Sequence, residues 1–186
     1  MAIILASQSP RRRELLGLLK LPFTVCVADI DETMDAGKAP FDEVARLSLE
    51  KALAIPRQED DVVIAADTIV VLDGQTLGKP RDKADAVQML RALSGRSHQV
   101  MTGLAVVCGK EQTVVTEVTT VHFRALSEGE ILRYADSGEP LDKAGSYGIQ
   151  GGAAAFVSGI EGDYFNVVGL PVCRLAQILT GKGVLK

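Results

Sequence analysis

Residues Val62–Leu72 have the sequence VVIAADTIVVL, the most apolar segment of the chain. Its first half is apolar at consecutive positions, which is typical of a central strand buried on both faces. Asp73-Gly74 follows directly and predicts a tight turn into a hairpin. The segment is about half as long as a membrane span and is interrupted by Asp67 and Thr68, so it does not predict a transmembrane helix. It predicts the central strand of a sheet.

Strands and helices alternate on both sides of this segment. Ile3–Ala6 predicts a short buried strand, and Ser9 as N-cap with Pro10 in the first turn predicts a helix directly after it. The other predicted elements are a strand over 23–27, a helix from 40 that ends before 56, a helix over 83–93 capped by Asp82, strands over 100–107 and 113–123, a helix that begins at a capping box of Ser127 and Glu130 and ends near 136, a strand over 153–157, a turn over 159–164 and a helix over 172–179. Alternation without a clean repeat predicts a mixed α/β sheet flanked by helices. No low-complexity linker divides the chain, which predicts a single domain over residues 1–186.

The composition is that of an ordinary globular protein. The chain has 186 residues, of which 47% are hydrophobic and 24% are charged, and this excludes a disordered chain. Lysine and arginine total 20 against 24 aspartate and glutamate, so the net charge is −4 and no broad basic face for nucleic acid is expected. The three cysteines are isolated, and the first residues lack the basic region of a signal peptide. We therefore expect a cytoplasmic protein without a nucleic-acid or membrane partner.

The first predicted helix begins with three arginines, Arg11-Arg12-Arg13, where the helix dipole favours acidic side chains. This placement becomes favourable if an anion docks there, because backbone N–H groups, the Ser7 and Ser9 hydroxyls and the guanidinium groups would converge on phosphate oxygens. The alternative is a solvated basic helix start with the arginines spread apart. The agreement of strand, hydroxyls, proline and arginines favours anion binding.

Asp67 lies inside the most apolar segment, where a carboxylate must be hydrogen-bonded, paired or metal-bound. An aspartate at a strand end, capped by neighbouring amides, is the common alternative. Glu32 belongs to an acidic loop with Asp29 and Asp31, and two or three carboxylates beside an anion site can hold Mg²⁺ against a polyphosphate. Asp67 is equally suited to accept a proton from water that attacks phosphorus.

Four further side chains are candidates, each with a plain alternative. Thr68 is placed to position water or a phosphate oxygen, or it packs as any β-branched residue does. Lys51 falls at the border of the apolar stripe of its helix, where a lysine can reach into a cleft, whereas Lys79 lies in a loop, where most lysines are idle. Gln150, in a segment with four glycines in eleven residues, has an amide that suits uracil or thymine, or it is a surface glutamine.

Several familiar fingerprints do not occur in the sequence. The phosphate loop Gly-x-x-x-x-Gly-Lys-Ser/Thr and the dinucleotide motif Gly-x-Gly-x-x-Gly are both missing, and so are Gly-x-Ser-x-Gly and His-Glu-x-x-His. His98 and His122 are too isolated for metal spacing. These observations disfavour hydrolases with a serine or cysteine nucleophile and helical zinc proteases.

Four separated motifs resemble the Maf family of nucleoside triphosphate pyrophosphatases. They are residues 5–12 (LASQSPRR), 66–68 (ADT), 78–80 (GKP) and 142–151 (DKAGSYGIQG), in the family's order over nearly the whole chain. The resemblance implies a mixed twisted α/β sheet in two lobes with a central cleft, like that of inosine triphosphatases, and a homodimer. It also implies metal-dependent hydrolysis between the α- and β-phosphates, which yields a nucleoside monophosphate and pyrophosphate.

The resemblance also implies roles for individual residues. It makes Asp67 the general base and proton acceptor, and it makes Arg12, Thr68 and Gln150 the substrate-selecting residues. Phosphate-binding roles fall on Ser7, Ser9, Arg11, Arg12, Lys51 and Lys79, and a role in holding Mg²⁺ or Mn²⁺ falls on Glu32 and Asp67. Arg13 falls on a position that looks variable.

Gln150 distinguishes two branches of the family. The branch that acts on dTTP and UTP is similar to this chain in carrying Ile-Gln-Gly, whereas the branch that acts on 7-methyl-GTP carries glutamate there. The chemistry agrees, because a carboxylate accepts from the N–H groups of guanine while an amide complements a pyrimidine that donates and accepts. We expect a dTTP/UTP pyrophosphatase that also takes modified pyrimidine nucleotides. The alternatives are a pyrophosphatase for 7-methyl-GTP or another non-canonical purine, and a nucleotide-binding regulator of cell division.

Overall fold

The computed structural model describes residues 1–35 and 37–185. The strands of this part are β1 (Ile3–Ala6), β2 (Thr24–Cys26), β3 (Val62–Leu72), β4 (Gln75–Leu77), β5 (Ser97–Cys108), β6 (Glu111–Phe123) and β7 (Val157–Glu161). The α-helices are α1 (Pro10–Gly17), α2 (Pro40–Leu53), α3 (Lys83–Leu93), α4 (Glu128–Asp136), α5 (Tyr164–Val168) and α6 (Val172–Gly181). Within these residues, three short 3₁₀ turns cover Glu139–Asp142, Ala144–Ser146 and Gly152–Phe156. Among the described residues, no helix combines the length and the apolar character that crossing a membrane requires.

The strands listed above form one mixed sheet. Its order is β2-β1-β3-β5-β6-β7, with β4 paired to β3 outside this path. Strand β1 is parallel to both β2 and β3, whereas the pairs β3–β4 and β6–β7 are antiparallel. The turn between β3 and β4 has positive φ at Asp73 (51°) and Gly74 (77°), as a two-residue hairpin of this hand requires. The predicted mixed α/β sheet and its hairpin are confirmed.

Strand β3 is the continuous strand that its sequence predicts. Each of its residues is buried except Asp67 and Thr68, which are half-buried. The chain divides into two compact units, and the division falls between these two residues. Unit 1 comprises residues 1–67, 102–117 and 169–186, and unit 2 comprises 68–101 and 118–168. The prediction of a single domain over 1–186 stays a prediction.

Unit 1 holds α2 directly against strand β5. A Cβ atom built on Gly103 would lie 2.2 Å from the carbonyl oxygen of Val44, so only glycine allows the helix backbone this close to the strand. Val44 is fully buried, and Lys51 follows it by seven residues, which is two turns along the same helix face. Packing of α2 therefore directs Lys51 toward the interior of unit 1.

Unit 2 contains a cluster of aromatic side chains packed edge to face. The ring centroids of Phe123 and Tyr147 are 4.9 Å apart, and those of Tyr134 and Phe156 are 5.2 Å apart. His98 contacts both Phe123 (5.0 Å) and Tyr147 (5.3 Å). Such pairs stabilise a core beyond their burial alone. Tyr147 belongs to the glycine-rich segment, so its ring attaches that segment to the aromatic cluster.

The region after Gly151 differs from the sequence prediction. The predicted strand over 153–157 is wrong, because Gly152–Phe156 forms a 3₁₀ turn and β7 begins only at Val157. Three successive alanines have little preference for a strand. The predicted turn over 159–164 is wrong for its first residues, which pair with β6 in the register His122 to Gly159. Helix α5 was not predicted from the sequence.

Candidate active site

The turn before α1 has the helix start that its sequence predicts. Ser9 is the N-cap, and its Oγ accepts a hydrogen bond from the Arg12 amide at 3.4 Å. The Ser9 amide in turn donates to Ser7 Oγ at 3.1 Å. These two amides are therefore paired within the turn, which corrects the expectation that they point freely at an anion. Because each serine oxygen accepts through a lone pair, its O–H remains the group that could donate to a ligand.

Arg12 is fixed in unit 1 by a backbone carbonyl. Its Nε donates to the carbonyl oxygen of Gly169 at 2.8 Å, and Gly169 has φ of 128°, a conformation that favours glycine. Burial lowers the pKa of Arg12, while the negative charge of Asp67 opposes that shift and the positive charge of Arg11 adds to it. A guanidinium stays protonated throughout the accessible pH range. Arg12 is thus a fixed positive charge within electrostatic reach of Asp67.

Lys51 joins the two carboxylates that were predicted to act together. Its Nζ lies 2.6 Å from Oδ1 of Asp67 and 3.0 Å from Oε2 of Glu32. The side chains of Lys51 and Asp67 are 9% and 14% exposed, whereas Glu32 is 58% exposed. Asp67 is therefore paired, as a carboxylate in this apolar strand must be. Lys51 contacts both carboxylates, a role that the sequence prediction of a phosphate-binding lysine did not include.

The loop that carries Glu32 is attached to α2 by hydrogen bonds to the two members of an ion pair. Arg46 donates to Glu43 Oε2 at 2.7 Å and, from the same Nη2, to the carbonyl oxygen of Thr33 at 3.1 Å. Glu43 also accepts from the Asp35 amide at 2.7 Å, although its side chain is only 1% exposed. The hydrogen bond from Arg46, with that from Asp35, lowers the pKa of Glu43 to about 2. Glu43 and Arg46 therefore hold the chain directly after Glu32.

The carboxylates fit a cation that is shared with a ligand. Among the described residues, no group of three or more His, Cys, Asp or Glu side chains is placed to hold a metal ion. Glu32 and Asp67, however, both lie within 3.0 Å of the same ammonium group. One or two carboxylates with substrate phosphates are the usual donor set for Mg²⁺. Glu32 and Asp67 would be the residues that hold such an ion.

Three predicted site residues belong to unit 2. Thr68 is half-buried on β3, while Lys79 and Gln150 are exposed. The carbonyl oxygen of Gly78, next to Lys79, accepts from the Gly145 amide at 3.0 Å. The loop of Lys79 is therefore attached to the glycine-rich segment that carries Gln150.

Unit 1 contains seven of the ten predicted residues: Ser7 and Ser9 in the turn before α1, Arg11 and Arg12 at its start, and Lys51 with Asp67 and Glu32. Unit 2 holds the remaining three. Sequence reasoning missed the groups that hold the site in place, namely Glu43, Arg46 and the carbonyl of Gly169 in unit 1. It also missed Tyr134 and Glu139 in unit 2, which accept hydrogen bonds from the Gly148 and Gly152 amides beside Gln150. The spacing of Glu43 and Arg46 by three residues on a helix is the one local signal that could have found them.

These features define a mixed α/β protein with a charged site suited to a polyanionic ligand. The chain belongs to the Maf family, since the family model described as Maf-like protein matches residues 2–182. A dTTP/UTP pyrophosphatase of Symbiobacterium thermophilum is 53% identical over 182 residues, which are 97% of this chain and 94% of that protein. A dTTP/UTP pyrophosphatase of Bacillus mycoides is 50% identical over 178 residues, 95% of this chain and 93% of that protein.

A solved structure supports the fold independently. A HAM1 protein from Coxiella burnetii matches with a TM-score of 0.53 at 18% sequence identity, over 97% of this chain and 100% of that chain. At that level of identity the similarity concerns the fold alone. The predicted fold class and the predicted family are both confirmed.

Proposed function

We propose that this protein hydrolyses dTTP and UTP between the α- and β-phosphates, releasing the nucleoside monophosphate and pyrophosphate. The observation that carries the proposal is the pairing of Asp67, from the middle of a buried strand, with Lys51 at 2.6 Å and with Glu32 on the same ammonium group. The names of the relatives, which are about half identical over nearly the whole chain, support the same activity.

Asp67 is the proposed general base. Water attacks the α-phosphorus, the bond from phosphorus to the bridging oxygen breaks, and pyrophosphate leaves with the electron pair of that bond. The proton of the attacking water passes to the Asp67 carboxylate. The hydrogen bond from Lys51 orients this carboxylate, and a positioned base is worth about 10²- to 10⁴-fold in rate.

The positive side chains and hydroxyls of unit 1 are the proposed phosphate ligands. Arg11 and Arg12 provide guanidinium donors, and Ser7 and Ser9 provide O–H donors. An ammonium group has three N–H donors; Lys51 donates one to Asp67 at 2.6 Å and faces Glu32 in an ion pair at 3.0 Å. A remaining N–H is the donor that we propose for a phosphate oxygen. Lys79 is the proposed phosphate ligand from unit 2.

Glu32 and Asp67 are the proposed holders of Mg²⁺ or Mn²⁺. When bound, such an ion would neutralise the negative charge that builds up on the leaving pyrophosphate. Glu32 is the more exposed of the two carboxylates, so it can turn toward a cation with little rearrangement of the core. Its loop is meanwhile held to α2 through Glu43 and Arg46.

Gln150, Thr68 and Arg12 are the proposed specificity residues. The Gln150 amide can accept from the pyrimidine N3–H and donate to O4, which uracil and thymine share. A glutamate at this position would instead accept from the donors of guanine.

We further propose that the protein is a homodimer and that it acts in the cytoplasm, where nucleoside triphosphates are abundant. Sedimentation at micromolar protein concentration tests the dimer.

A substrate panel tests the proposal. Pyrophosphate release is measured from dTTP, UTP, 5-methyl-UTP, CTP, GTP and 7-methyl-GTP, with and without Mg²⁺. Hydrolysis in ¹⁸O-labelled water then locates the attack, since the label enters the monophosphate if the α-phosphorus is attacked. We expect metal-dependent release from dTTP and UTP with label in the monophosphate. Gln150→Glu, which has nearly the same size, should lower the rate with UTP and raise the relative rate with 7-methyl-GTP.

Two other outcomes would contradict the proposal. Preferential cleavage of 7-methyl-GTP by the unaltered protein would overturn the role of Gln150. Tight nucleotide binding with only intact triphosphate after incubation with metal would favour a nucleotide-binding regulator instead. A regulator has no need of the carboxylate of Asp67, so Asp67→Asn would then leave the function unchanged.

A further inference from the structure

The backbone on both sides of Gln150 is attached to one connected set of hydrogen bonds within unit 2. The Gly148 amide donates to the Tyr134 hydroxyl oxygen at 3.1 Å. That hydroxyl donates to Oε1 of Glu139 at 3.0 Å, and Oε2 of Glu139 accepts from the Gly152 amide at 3.0 Å. The segment from Gly148 to Gly152 is thus held two residues before and two residues after Gln150.

The glycines of this segment allow its backbone to lie on the Glu139 carboxylate. A Cβ atom on Gly151 would be 1.9 Å from Oε1 of Glu139, and one on Gly148 would be 2.7 Å from Cε of Lys143. The Gly151 amide also donates to the Gly148 carbonyl at 3.0 Å, which closes a turn around Gln150. Because a side chain at Gly151 would displace Glu139, the glycine serves the contact with the carboxylate.

Tyr134 and Glu139 are themselves firmly placed. Tyr134 lies on α4, is 6% exposed and packs its ring edge to face against Phe156. Burial raises the pKa of Tyr134, so its hydroxyl keeps the proton that it donates to Glu139. The backbone of Glu139 is held at its amide by Ser137 Oγ at 3.2 Å and at its carbonyl by Lys143 Nζ at 2.7 Å.

A fixed loop matters for the kind of recognition that an amide provides. The Gln150 amide can meet uracil, which offers a donor at N3 and an acceptor at O4. If it moves or rotates, it can also meet cytosine, whose corresponding groups are an acceptor and a donor. A hydrogen-bonding group discriminates strongly only when its position is set in advance, because a mobile group adjusts to either partner.

We propose that Tyr134 and Glu139 are positioning residues that hold the loop of Gln150 where its amide meets uracil and thymine and thereby favour these bases over cytosine. The proposal rests on the dTTP/UTP pyrophosphatase activity proposed above and on the role of Gln150 in it. Neither residue needs to touch the nucleotide, since both act through the backbone of Gly148 and Gly152.

Tyr134→Phe tests the proposal because it removes one oxygen and keeps the aromatic ring. We expect the ratio of kcat/KM for UTP to that for CTP to fall about 10-fold, mainly through a higher KM for UTP, as for the loss of one well-placed hydrogen bond. Amide hydrogen exchange of residues 148–152 should become faster. Glu139→Gln, which can accept from only one of the two donors, should lower the ratio about 3-fold.

Tyr164→Phe is the matched control, since it removes the hydroxyl of an exposed tyrosine in the same unit. It should leave the UTP to CTP ratio unchanged. A purely structural loss in Tyr134→Phe would lower both rates equally and leave the ratio as it is. Glu139→Gln keeps the test open if Tyr134→Phe fails to fold.

Each outcome decides the proposal. An unaltered protein that shows no preference for UTP over CTP contradicts the pyrimidine selectivity proposed above, and this inference with it. An unaltered protein with that preference, and both variants within about 2-fold of its ratio, would overturn the positioning role alone. A loss of the ratio in both variants, with the control unchanged, supports it.

Discussion

The cluster around Lys51 in unit 1 and the loop around Gln150 in unit 2 hold their side chains by different means. Lys51 lies between two carboxylates, with Nζ at 2.6 Å from Asp67 and 3.0 Å from Glu32. The loop around Gln150 is instead held through its backbone amides at 3.0–3.1 Å, by a neutral phenol and one carboxylate. One region is organised by opposite charges and the other by directed hydrogen bonds.

The difference matches what each region has to do. Ion pairs act over several ångströms and tolerate changes in partner, so a phosphate or a cation can replace one member without loss of the rest. Hydrogen bonds to backbone amides have narrow geometry and fix a loop in one position. A charged cluster therefore suits binding of phosphate groups and a cation, whereas a loop fixed by amide bonds suits reading of a base edge.

Asp67→Asn should disrupt the charged region and cause the largest loss of activity among the substitutions considered. The amide cannot accept a proton from water, so kcat for pyrophosphate release from UTP should fall about 10³-fold. The substitution keeps the size and hydrogen-bonding shape of the side chain, and circular dichroism should show an unchanged fold. Activity within about 10-fold of the unaltered protein would contradict the assignment of the base.

His98→Gln tests the aromatic cluster that supports the loop in unit 2. The substitution should change how the free energy of unfolding depends on pH. Nε2 of His98 lies 2.7 Å from the hydroxyl oxygen of Tyr147. Burial, with the charge of His122, lowers the pKa of His98 to about 4. The ordinary value in the unfolded chain is about 6.5, so the unfolded state binds more protons between these pH values and stability falls as pH falls through this range.

The expected size of this effect is about 3 kcal/mol between pH 7 and pH 4. Denaturant unfolding at both pH values measures it. Carboxylates titrate in both proteins, so the difference between the unaltered protein and His98→Gln isolates the histidine. An equal loss of stability on acidification in the two proteins would show that His98 does not bind its proton more weakly in the folded state.

Lys51→Met should separate the structural role of the charged region from its catalytic role. Loss of the ammonium group leaves Asp67 and Glu32 without their common partner, and activity should fall about 100-fold, as for the loss of one charged donor at a reacting centre. Stability should fall by about 3 kcal/mol, since Lys51 and Asp67 are only 9% and 14% exposed and the buried carboxylate loses its partner. The measurement is thermal unfolding together with UTP hydrolysis.

The double variant Lys51→Met with Glu32→Gln provides the control. Removal of the Glu32 charge relieves repulsion with Asp67, so the double variant should recover part of the lost stability while its activity stays low. Recovery of activity together with stability would contradict the proposed roles of both Lys51 and Glu32 in the reaction.

Local signals in the sequence predicted much of the secondary structure. Ser9 as N-cap, the capping box of Ser127 and Glu130, and Asp82 before α3 all lie where they were predicted, because each depends on bonds within one turn. The strand over 153–157 failed because a short apolar run was a weaker signal than the low strand preference of alanine.

Contacts between distant parts of the chain were not predictable in the same way. The sequence placed Asp67 and Lys51 as separate candidates, but their contact depends on the packing of α2 against β5 at Gly103. Glu43 has the sequence appearance of a solvated residue in a first helical turn, yet it is buried and paired with the half-buried Arg46. The bonds from Glu139 to Gly152 link a turn to a loop and leave no periodic pattern.

Arg13→Ala should give the smallest effect and thereby show that position, rather than total charge, makes the charged region work. Arg12 is fixed by the Gly169 carbonyl, whereas Arg13 is exposed on the next position of α1. Both alanine variants remove one positive charge, so long-range attraction of a triphosphate changes equally in the two. We expect kcat/KM for UTP to change less than about 2-fold in Arg13→Ala and to fall about 100-fold in Arg12→Ala. A different result would be similar losses of kcat/KM in both variants, with the difference from the unaltered protein shrinking as the salt concentration is raised. It would mean that the arginines only attract the substrate at long range and that the fixed geometry of Arg12 is irrelevant.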